Sequence, residues 1–159
     1  MGTVNLDVKI STLLKKKYIK LDLNTSSKKE IICELVDLLA ESNKLTDKKA
    51  FLSLILKREK LGSTGIGNGL AIPHAKSDAV DGFAIAFGRH SQGVDFGALD
   101  GEKTFLFFML ASPSDNVGGH LKILADISHF VKDKFIIECL KKAKDEAEVL
   151  EIIARYEKK

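Results

Sequence analysis

The sequence predicts a layered α/β fold built on a mixed central sheet. Three observations support this: helical and strand-like segments are interspersed, an almost continuous apolar run at 104–110 indicates a strand covered on both faces, and the elements do not follow a regular βαβ order. With 159 residues, 45% of them hydrophobic, the chain can bury a substantial core. We therefore predict a single domain over residues 1–159.

The first part of the chain contains one predicted strand and two predicted helices. Alternating side chains predict a strand at 18–23. The capping box Ser27–Glu30 begins a helix that ends near Asn43. Thr46 and Asp47 begin a second helix, which ends near residues 58–60.

Three strands and three helices are predicted in the rest of the chain. The strands are a short one at 70–72, then 82–88 and 104–110, and a loop at 111–119 follows the last of them. A helix begins near His120, and two closing helices cover 135–140 and 147–156. The first of these three helices is expected to have one face formed by Leu121, Leu124, Ser128 and Val131.

Composition excludes several classes of protein. The net charge of +3 is too small, and its basic residues too dispersed, to indicate a nucleic-acid partner. Cys33 and Cys139 lie far apart without metal-ligand spacing, so we expect buried free thiols in a reducing compartment. Because no signal sequence or long apolar span is evident, we predict a cytoplasmic protein without direct membrane insertion.

The segment from Ser63 to Lys76, STGIGNGLAIPHAK, is the most informative part of the sequence. Glycines at alternate positions 65, 67 and 69 allow peptide N–H groups to approach an anion closely. Pro73 restricts the backbone on both sides and presents His74 rigidly. A neutral imidazole can attack phosphorus without a separate base, so His74 is the candidate phosphoryl acceptor. The alternative is a structural histidine that happens to follow a proline.

Two further residues are candidates for the same site. His120 follows two glycines at a predicted helix start, where unpaired N–H groups favour an anion; the alternative is an ordinary surface residue. Arg58 could hold a phosphoryl group through two donors, or it could be a surface cation at a helix end. Ser63 and Thr64 could donate hydroxyl groups to phosphate or hold the loop by local hydrogen bonds.

The remaining titratable residues are assigned to the surface. His129 lies on a polar helix face, and His90 lies in a turn-like segment after a strand. Lys76 and Asp78 are close to His74 in sequence, although both could be ordinary surface charges. The dinucleotide fingerprint, the P-loop and the HExxH motif are absent, so we predict neither a metal site nor a cofactor.

The segment Arg58–Lys76, REKLGSTGIGNGLAIPHAK, closely resembles the active-site segment of enzyme IIA domains of the bacterial phosphoenolpyruvate-dependent phosphotransferase system, fructose/mannitol class. A second match is HLKILA, beginning at His120, and the similarity extends over residues 8–156. The single departure that we note, Leu70 where isoleucine is usual, is conservative.

The resemblance implies a three-layer α/β/α sandwich with a mixed sheet and a phosphotransferase function. It implies that His74 accepts a phosphoryl group from the phosphohistidine of the carrier protein HPr and that His120 lines the same pocket. It also implies that Arg58 stabilises the phosphoryl charge, with Ser63, Thr64 and the amide of Gly65 near the phosphate.

The family has two branches that this sequence could represent. The glycine-rich segment is especially similar to the free-standing nitrogen-regulatory enzyme IIA, which signals to partner proteins through the phosphorylation state of its histidine. We therefore favour the regulatory branch. The alternative is a stand-alone fructose/mannitol-type enzyme IIA that donates to an enzyme IIB. A more distant alternative is a binding module of the same fold without phosphoryl chemistry, which the two histidines argue against.

Overall fold

The computed structural model describes residues 8–158. Within this range the chain forms six α-helices, six β-strands and a short 3-10 turn at Lys16–Tyr18. The helices are α1 (Ile10–Leu13), α2 (Lys28–Ala40), α3 (Lys48–Leu61), α4 (Val117–Lys132), α5 (Lys134–Lys142) and α6 (Glu146–Glu157). The strands are β1 (Ile19–Lys20), β2 (Gly65–Gly67), β3 (Leu70–Ala71), β4 (His74–Ser77), β5 (Ala84–Val94) and β6 (Thr104–Pro113).

The strands form one mixed sheet in the order β1-β5-β6-β3-β2, with β4 also paired to β6. The β1–β5, β3–β6 and β4–β6 pairs are parallel, whereas β5–β6 and β2–β3 are antiparallel. Strand β6 is central, as its continuous apolar run predicted. The predicted mixed sheet is confirmed.

Helices cover both faces of this sheet. Neighbouring residues on a strand point to opposite faces of the sheet. On β5, Gly88 faces α2 and Phe87 faces the side covered by α4. A Cβ atom at Gly88 would lie 2.8 Å from Leu35 of α2. The ring of Phe87 packs on Phe108, which packs on Phe130 of α4, with centroid distances of 4.9 and 5.4 Å. The predicted α/β/α layering is therefore confirmed.

The predicted helix starts at the first two long helices are confirmed by their caps. The Ser27 hydroxyl accepts the Glu30 amide at the start of α2, at 3.2 Å. The Asp47 carboxylate accepts the Ala50 amide at the start of α3, at 3.0 Å. Each cap satisfies a donor that the helix itself leaves unpaired, so these short polar residues fix where the helices begin.

The strand bounds differ from those predicted because pairing between distant segments decides them. The strand predicted at 18–23 is only β1, which is two residues long. Conversely, β5 continues to Val94 and β6 to Pro113, because the two strands pair along their length. His90 consequently lies in β5 and is 7% exposed, so its prediction as a surface turn residue was wrong.

Helix α4 begins at Val117, three residues before the predicted start. The Asn116 side chain accepts the Gly119 amide at 3.0 Å and so caps the helix earlier. The buried face contains Gly119, His120, Ile123, Ile127 and Phe130. The predicted face, Leu121, Leu124, Ser128 and Val131, is not the buried one: apolar residues lie on two sides of this helix, and Leu121 is 59% exposed.

Two compositional predictions have different outcomes. Cys33 and Cys139 are free thiols, as predicted, but both are half-buried rather than buried. Over residues 8–158, none of the helices has both the length and the apolar character that a bilayer crossing requires.

The two ends of the described chain are joined by one side chain. The Glu157 carboxylate at the end of α6 accepts the amide of Ile10 at 2.8 Å and that of Ser11 at 3.3 Å. These amides are unpaired donors of the first turn of α1, which otherwise has no side-chain cap. The last helix thus supplies the cap of the first.

Candidate functional site

A proline interrupts the sheet immediately before His74. Strands β3 and β4 both run parallel to β6, in register at Ala71–Phe107 and at His74–Leu110. Pro73, which lies between them, has no N–H to donate to a neighbouring strand, although its carbonyl accepts the Leu110 amide at 2.9 Å. His74 therefore begins a new strand at a fixed register.

The geometry of the His74 ring fixes where its proton lies. Its Nδ1 atom lies 2.7 Å from the carbonyl oxygen of Ile72. A carbonyl oxygen only accepts hydrogen bonds, so Nδ1 of the neutral ring carries the hydrogen and Nε2 retains the lone pair. The side chain is half-buried, which leaves this lone pair accessible on a ring that is held in place.

A glycine allows His120 to enter the same pocket. A Cβ atom at Gly119 would lie 2.5 Å from the Phe83 ring, so only glycine lets the start of α4 approach the sheet this closely. His120 is 4% exposed, so the alternative of a surface residue is wrong. Its amide donates to the Asn116 carbonyl at 3.2 Å, so His120 itself does not supply one of the unpaired N–H groups expected at the helix start.

The two imidazole rings lie against each other. Their centroids are 5.4 Å apart and their planes are tilted by 54°. The Nδ1 atom of His120 lies 2.7 Å from the hydroxyl of Ser112, which is fully buried. This contact directs Nε2, the other ring nitrogen of His120, away from Ser112.

Ser112 was missed from the sequence because it was placed in the loop 111–119. It lies in β6, opposite Lys76 in the register with β4. The signal that could have found it is strand alternation, because Leu110 and Ser112 share a face if the apolar run continues past residue 110.

Both histidines are held in their neutral form at pH 7. Burial lowers the pKa of His74 below its ordinary value of 6.5; the Ile72 hydrogen bond and the charge of Glu59 oppose this, while the charges of Arg58 and Lys76 reinforce it. Burial lowers the pKa of His120 from 6.5 to about 4, with smaller contributions from His74 and Lys76. A neutral ring is the form that has a free lone pair.

Arg58 lies at the edge of the pocket. It is half-buried in the last turn of α3, and its Nη1 atom donates to the Gly62 carbonyl at 2.8 Å. This hydrogen bond orients the guanidinium and leaves Nη2 without a bond to any other group in the described range. The Arg58 charge lowers the pKa of His74, and the role of Arg58 toward a bound phosphoryl group stays a prediction.

The donors predicted to face a phosphate are already used within the protein. The Ser63 hydroxyl donates to the Phe96 carbonyl at 2.7 Å and accepts the Gly65 amide at 3.0 Å. The amide and hydroxyl of Thr64 both donate to the Glu59 carboxylate. This geometry favours the alternative that Ser63 and Thr64 hold the segment, and phosphate binding by residues 63–65 stays a prediction.

The glycine-rich segment is mainly a tight hairpin between β2 and β3. Gly67, Asn68 and Gly69 all have positive φ angles, of 111°, 52° and 82°, as a sharp reversal requires. The Asn68 amide donates to the Asp100 carboxylate at 3.0 Å. The Asn68 amide is therefore already used within the protein, and the expectation that the other amides of the segment face a phosphoryl group stays a prediction.

The other candidate residues lie outside the histidine pair. His129 is exposed, as predicted. Lys76 is exposed, and Asp78 is exposed and accepts a hydrogen bond from the Ser114 hydroxyl. Across residues 8–158, no group of three or more histidine, cysteine or acidic side chains is arranged to hold a metal ion.

Glu59 is a second residue that sequence analysis missed. It is 8% exposed and belongs to the buried stripe of α3 with Phe51 and Ile55. That spacing of four and eight residues was a visible signal, because a glutamate on an apolar stripe must be buried with partners.

Several known proteins are similar to this chain over most of its length. The family model "Phosphoenolpyruvate-dependent sugar phosphotransferase system, EIIA 2" matches residues 12–156. The chain is 40% identical over 151 residues to the "PTS system fructose-specific EIIABC component" of Bacillus subtilis, a match that covers 95% of this chain and 24% of that protein. The chain thus spans about a quarter of the length of this relative.

Two further relatives match over nearly their whole length. The "PTS system fructose-specific EIIA component" of Haloferax volcanii is 34% identical, with 91% of this chain and 94% of that protein covered. The crystal structure of nitrogen regulatory protein IIA-Ntr from Neisseria meningitidis superimposes with a TM-score of 0.85 at 35% identity, covering 91% of this chain and 98% of that one. The chain belongs to the EIIA 2 family of the phosphoenolpyruvate-dependent sugar phosphotransferase system.

Proposed function

We propose that the chain is a phosphoryl carrier that accepts a phosphoryl group on Nε2 of His74 from the phosphohistidine of an HPr-type carrier. The observation that carries the proposal is the Nδ1 hydrogen bond to the Ile72 carbonyl at 2.7 Å, because it leaves the Nε2 lone pair free beside a second imidazole. Membership of the EIIA 2 family supports the same reaction class.

The transfer exchanges one phosphorus–nitrogen bond for another. The Nε2 lone pair of His74 attacks phosphorus in line, the bond to the donor imidazole breaks, and its electron pair returns to the donor nitrogen. Little covalent help is needed, so alignment and charge stabilisation supply the catalysis. Arg58 offers its free guanidinium donors to the phosphoryl oxygens, and His120 offers Nε2 from the other side.

An apolar surface beside the pocket supports a protein partner. Val117 and Leu121 lie one turn apart on α4, and they are 47% and 59% exposed although His120 between them is buried. Exposed apolar residues beside a half-buried reactive histidine suit a protein donor that must dock to transfer its group. We propose that the HPr-type carrier, and the acceptor of the phosphoryl group, dock here.

Labelling with phosphoenolpyruvate, enzyme I and HPr tests the proposal. The chain should acquire acid-labile, alkali-stable phosphate, and His74→Ala should abolish this labelling. His129→Ala is the matched control, since His129 is an exposed histidine outside the pocket and its loss should leave labelling intact. A His74→Ala protein that still takes up phosphate would disprove the assignment, and an unlabelled wild-type chain would favour the binding module without phosphoryl chemistry.

The destination of the phosphoryl group separates the two branches. We propose the nitrogen-regulatory branch on the similarity of the segment 58–76, with the IIA-Ntr structure as support. A stand-alone fructose-type enzyme IIA is the second candidate, and the fructose-specific relatives support it. Transfer to a fructose enzyme IIB with restored sugar uptake would establish the second candidate, whereas labelling without such transfer is expected of a regulator.

A further inference from the structure

Glu59 places a negative charge inside the molecule. Its side chain is 5% exposed, on the inner side of α3. A buried carboxylate is costly unless hydrogen bonds and an opposite charge compensate it. The contacts of Glu59 therefore have to account for its position.

Three donors surround this carboxylate. Its Oε1 atom accepts the Thr64 amide at 3.1 Å and the Lys28 ammonium at 2.8 Å. Its Oε2 atom accepts the Thr64 hydroxyl. Glu59 thereby joins α2, α3 and the segment that precedes β2, and it holds Thr64 by two hydrogen bonds.

From Thr64 the hydrogen bonds continue to the reactive ring. The Thr64 carbonyl accepts the Ile72 amide at 3.0 Å. The Ile72 carbonyl in turn binds Nδ1 of His74 at 2.7 Å. The position of the Ile72 carbonyl, and with it the orientation and tautomer of His74, thus depends on where Thr64 is held.

We propose that Glu59 is a positioning residue for phosphoryl acceptance, acting on His74 through Thr64 and Ile72. The proposal rests on the proposed function of His74 and deepens it. These hydrogen bonds would contribute to catalysis by aligning His74, since a displacement of about 1 Å at a reacting group can slow transfer by roughly a hundredfold.

The molecule contains a matched control for this arrangement. Glu34 of α2 accepts the Thr25 amide at 2.9 Å, the Thr25 hydroxyl and the Lys20 ammonium at 3.0 Å. Glu34 thus has each kind of partner that Glu59 has, with the Asn24 amide at 3.1 Å in addition, but Thr25 precedes α2 and no hydrogen bond of the described chain leads from it to His74. Loss of Glu34 therefore costs comparable contacts without disturbing the reactive ring.

The test compares Glu59→Gln with Glu34→Gln. Glutamine keeps one acceptor oxygen, replaces the other with a donor and carries no charge, so each variant loses the ion pair with its lysine and one of the two acceptor oxygens. Both should lower the thermal midpoint. Only Glu59→Gln should lower the maximal rate of phosphoryl acceptance, by about 10- to 100-fold with little change in KM for the phosphorylated carrier.

The position of the His74 ring can be measured by NMR without any phosphoryl transfer, so it can be tested independently of the proposed function. In unphosphorylated protein, the ¹⁵N signals of His74 should indicate an Nδ1–H tautomer, and Glu59→Gln should shift them or broaden them through exchange, whereas Glu34→Gln should not. If the wild-type chain is never labelled, the proposed function fails while this spectrum still reports on the positioning.

A milder variant covers the case in which Glu59→Gln does not fold. Thr64→Val removes only the hydroxyl contact and keeps the Thr64 amide on Glu59, so it should change the rate and the His74 signals in the same direction but less. Normal rates and unmoved His74 signals in whichever of these variants folds would overturn the proposal.

Discussion

His74 and His120 occupy one pocket, but their surroundings give them different properties. Each ring binds a neighbour through Nδ1 at 2.7 Å. The partner of His74 is a carbonyl, which fixes the proton on Nδ1, whereas the partner of His120 is a hydroxyl, which can donate or accept. The first ring is half-buried and the second is 4% exposed.

This difference indicates different roles for the two rings in phosphoryl transfer. A fixed tautomer with an accessible Nε2 lone pair suits the nucleophile, and a buried ring with an adaptable proton suits a group that assists it. When Ser112 donates to Nδ1, His120 presents an N–H from Nε2; when Ser112 accepts, it presents a lone pair. Four measurements test whether the two rings differ in this way.

Removing His120 should have the largest effect short of losing the nucleophile. We expect His120→Ala to remain a phosphoryl acceptor but to react about 100-fold more slowly, because a pre-positioned donor to the phosphoryl group is lost. Rapid-quench measurement of phosphate incorporation gives the rate. Complete loss of labelling in a folded protein would show instead that the two histidines share the nucleophilic role.

Arg58→Ala should slow transfer by about tenfold, since the residue supplies charge at the edge of the pocket but does not fix either ring. Arg58→Lys, which keeps the charge and loses the second donor, should recover part of the rate. The same rapid-quench assay applies. A normal transfer rate in Arg58→Ala would show that Arg58 does not act on the phosphoryl group.

Acid should slow phosphoryl acceptance by protonating His74. Protonation removes the Nε2 lone pair, and because the pKa of His74 is lowered, acceptance should be nearly constant from pH 8 to 7 and fall only below pH 6.5. NMR titration of both rings should give a midpoint below 6.5 for His74 and one near 4 for His120. A rate that stays flat from pH 8 down to 5 would argue against a neutral histidine nucleophile.

The smallest effect is expected at Ser112. In Ser112→Ala the His120 ring loses its Nδ1 partner but stays buried, so we expect a decrease of only a few-fold in the rate and a shift in the ¹⁵N signals of His120 alone. Ser112→Thr keeps the hydroxyl and should retain the wild-type signals. If the His74 signals move as well, the Ser112 hydroxyl affects both rings, and their hydrogen bonding is not independent.

Local signals predicted the starts of α2 and α3 and singled out His74 as the candidate nucleophile. The caps at Ser27 and Asp47 act within three residues, and the Pro73–His74 pair is read directly from the sequence, so these features needed no knowledge of distant contacts. The caps placed the helix starts correctly, and the segment 58–76 identified the family.

The features that were missed depend on distant partners. Strand β4 is only four residues long and exists because it pairs with β6, more than 30 positions further along the chain. Ser112 and His90 were assigned to loops because strand pairing extends β5 and β6 beyond their apolar runs. Propensity and periodicity describe neighbours in sequence, whereas these positions are decided by the sheet.

The Ile10 and Ser11 amides of α1 donate to the Glu157 carboxylate of α6, so their protection from exchange depends on the last turn of α6. Any fluctuation that frays the end of α6 also releases two amide protons that lie almost 150 positions earlier in the chain. Hydrogen–deuterium exchange at Ile10 and Ser11 would therefore speed up whenever the last turn of α6 opens, so that these two distant segments unfold locally as one cooperative unit.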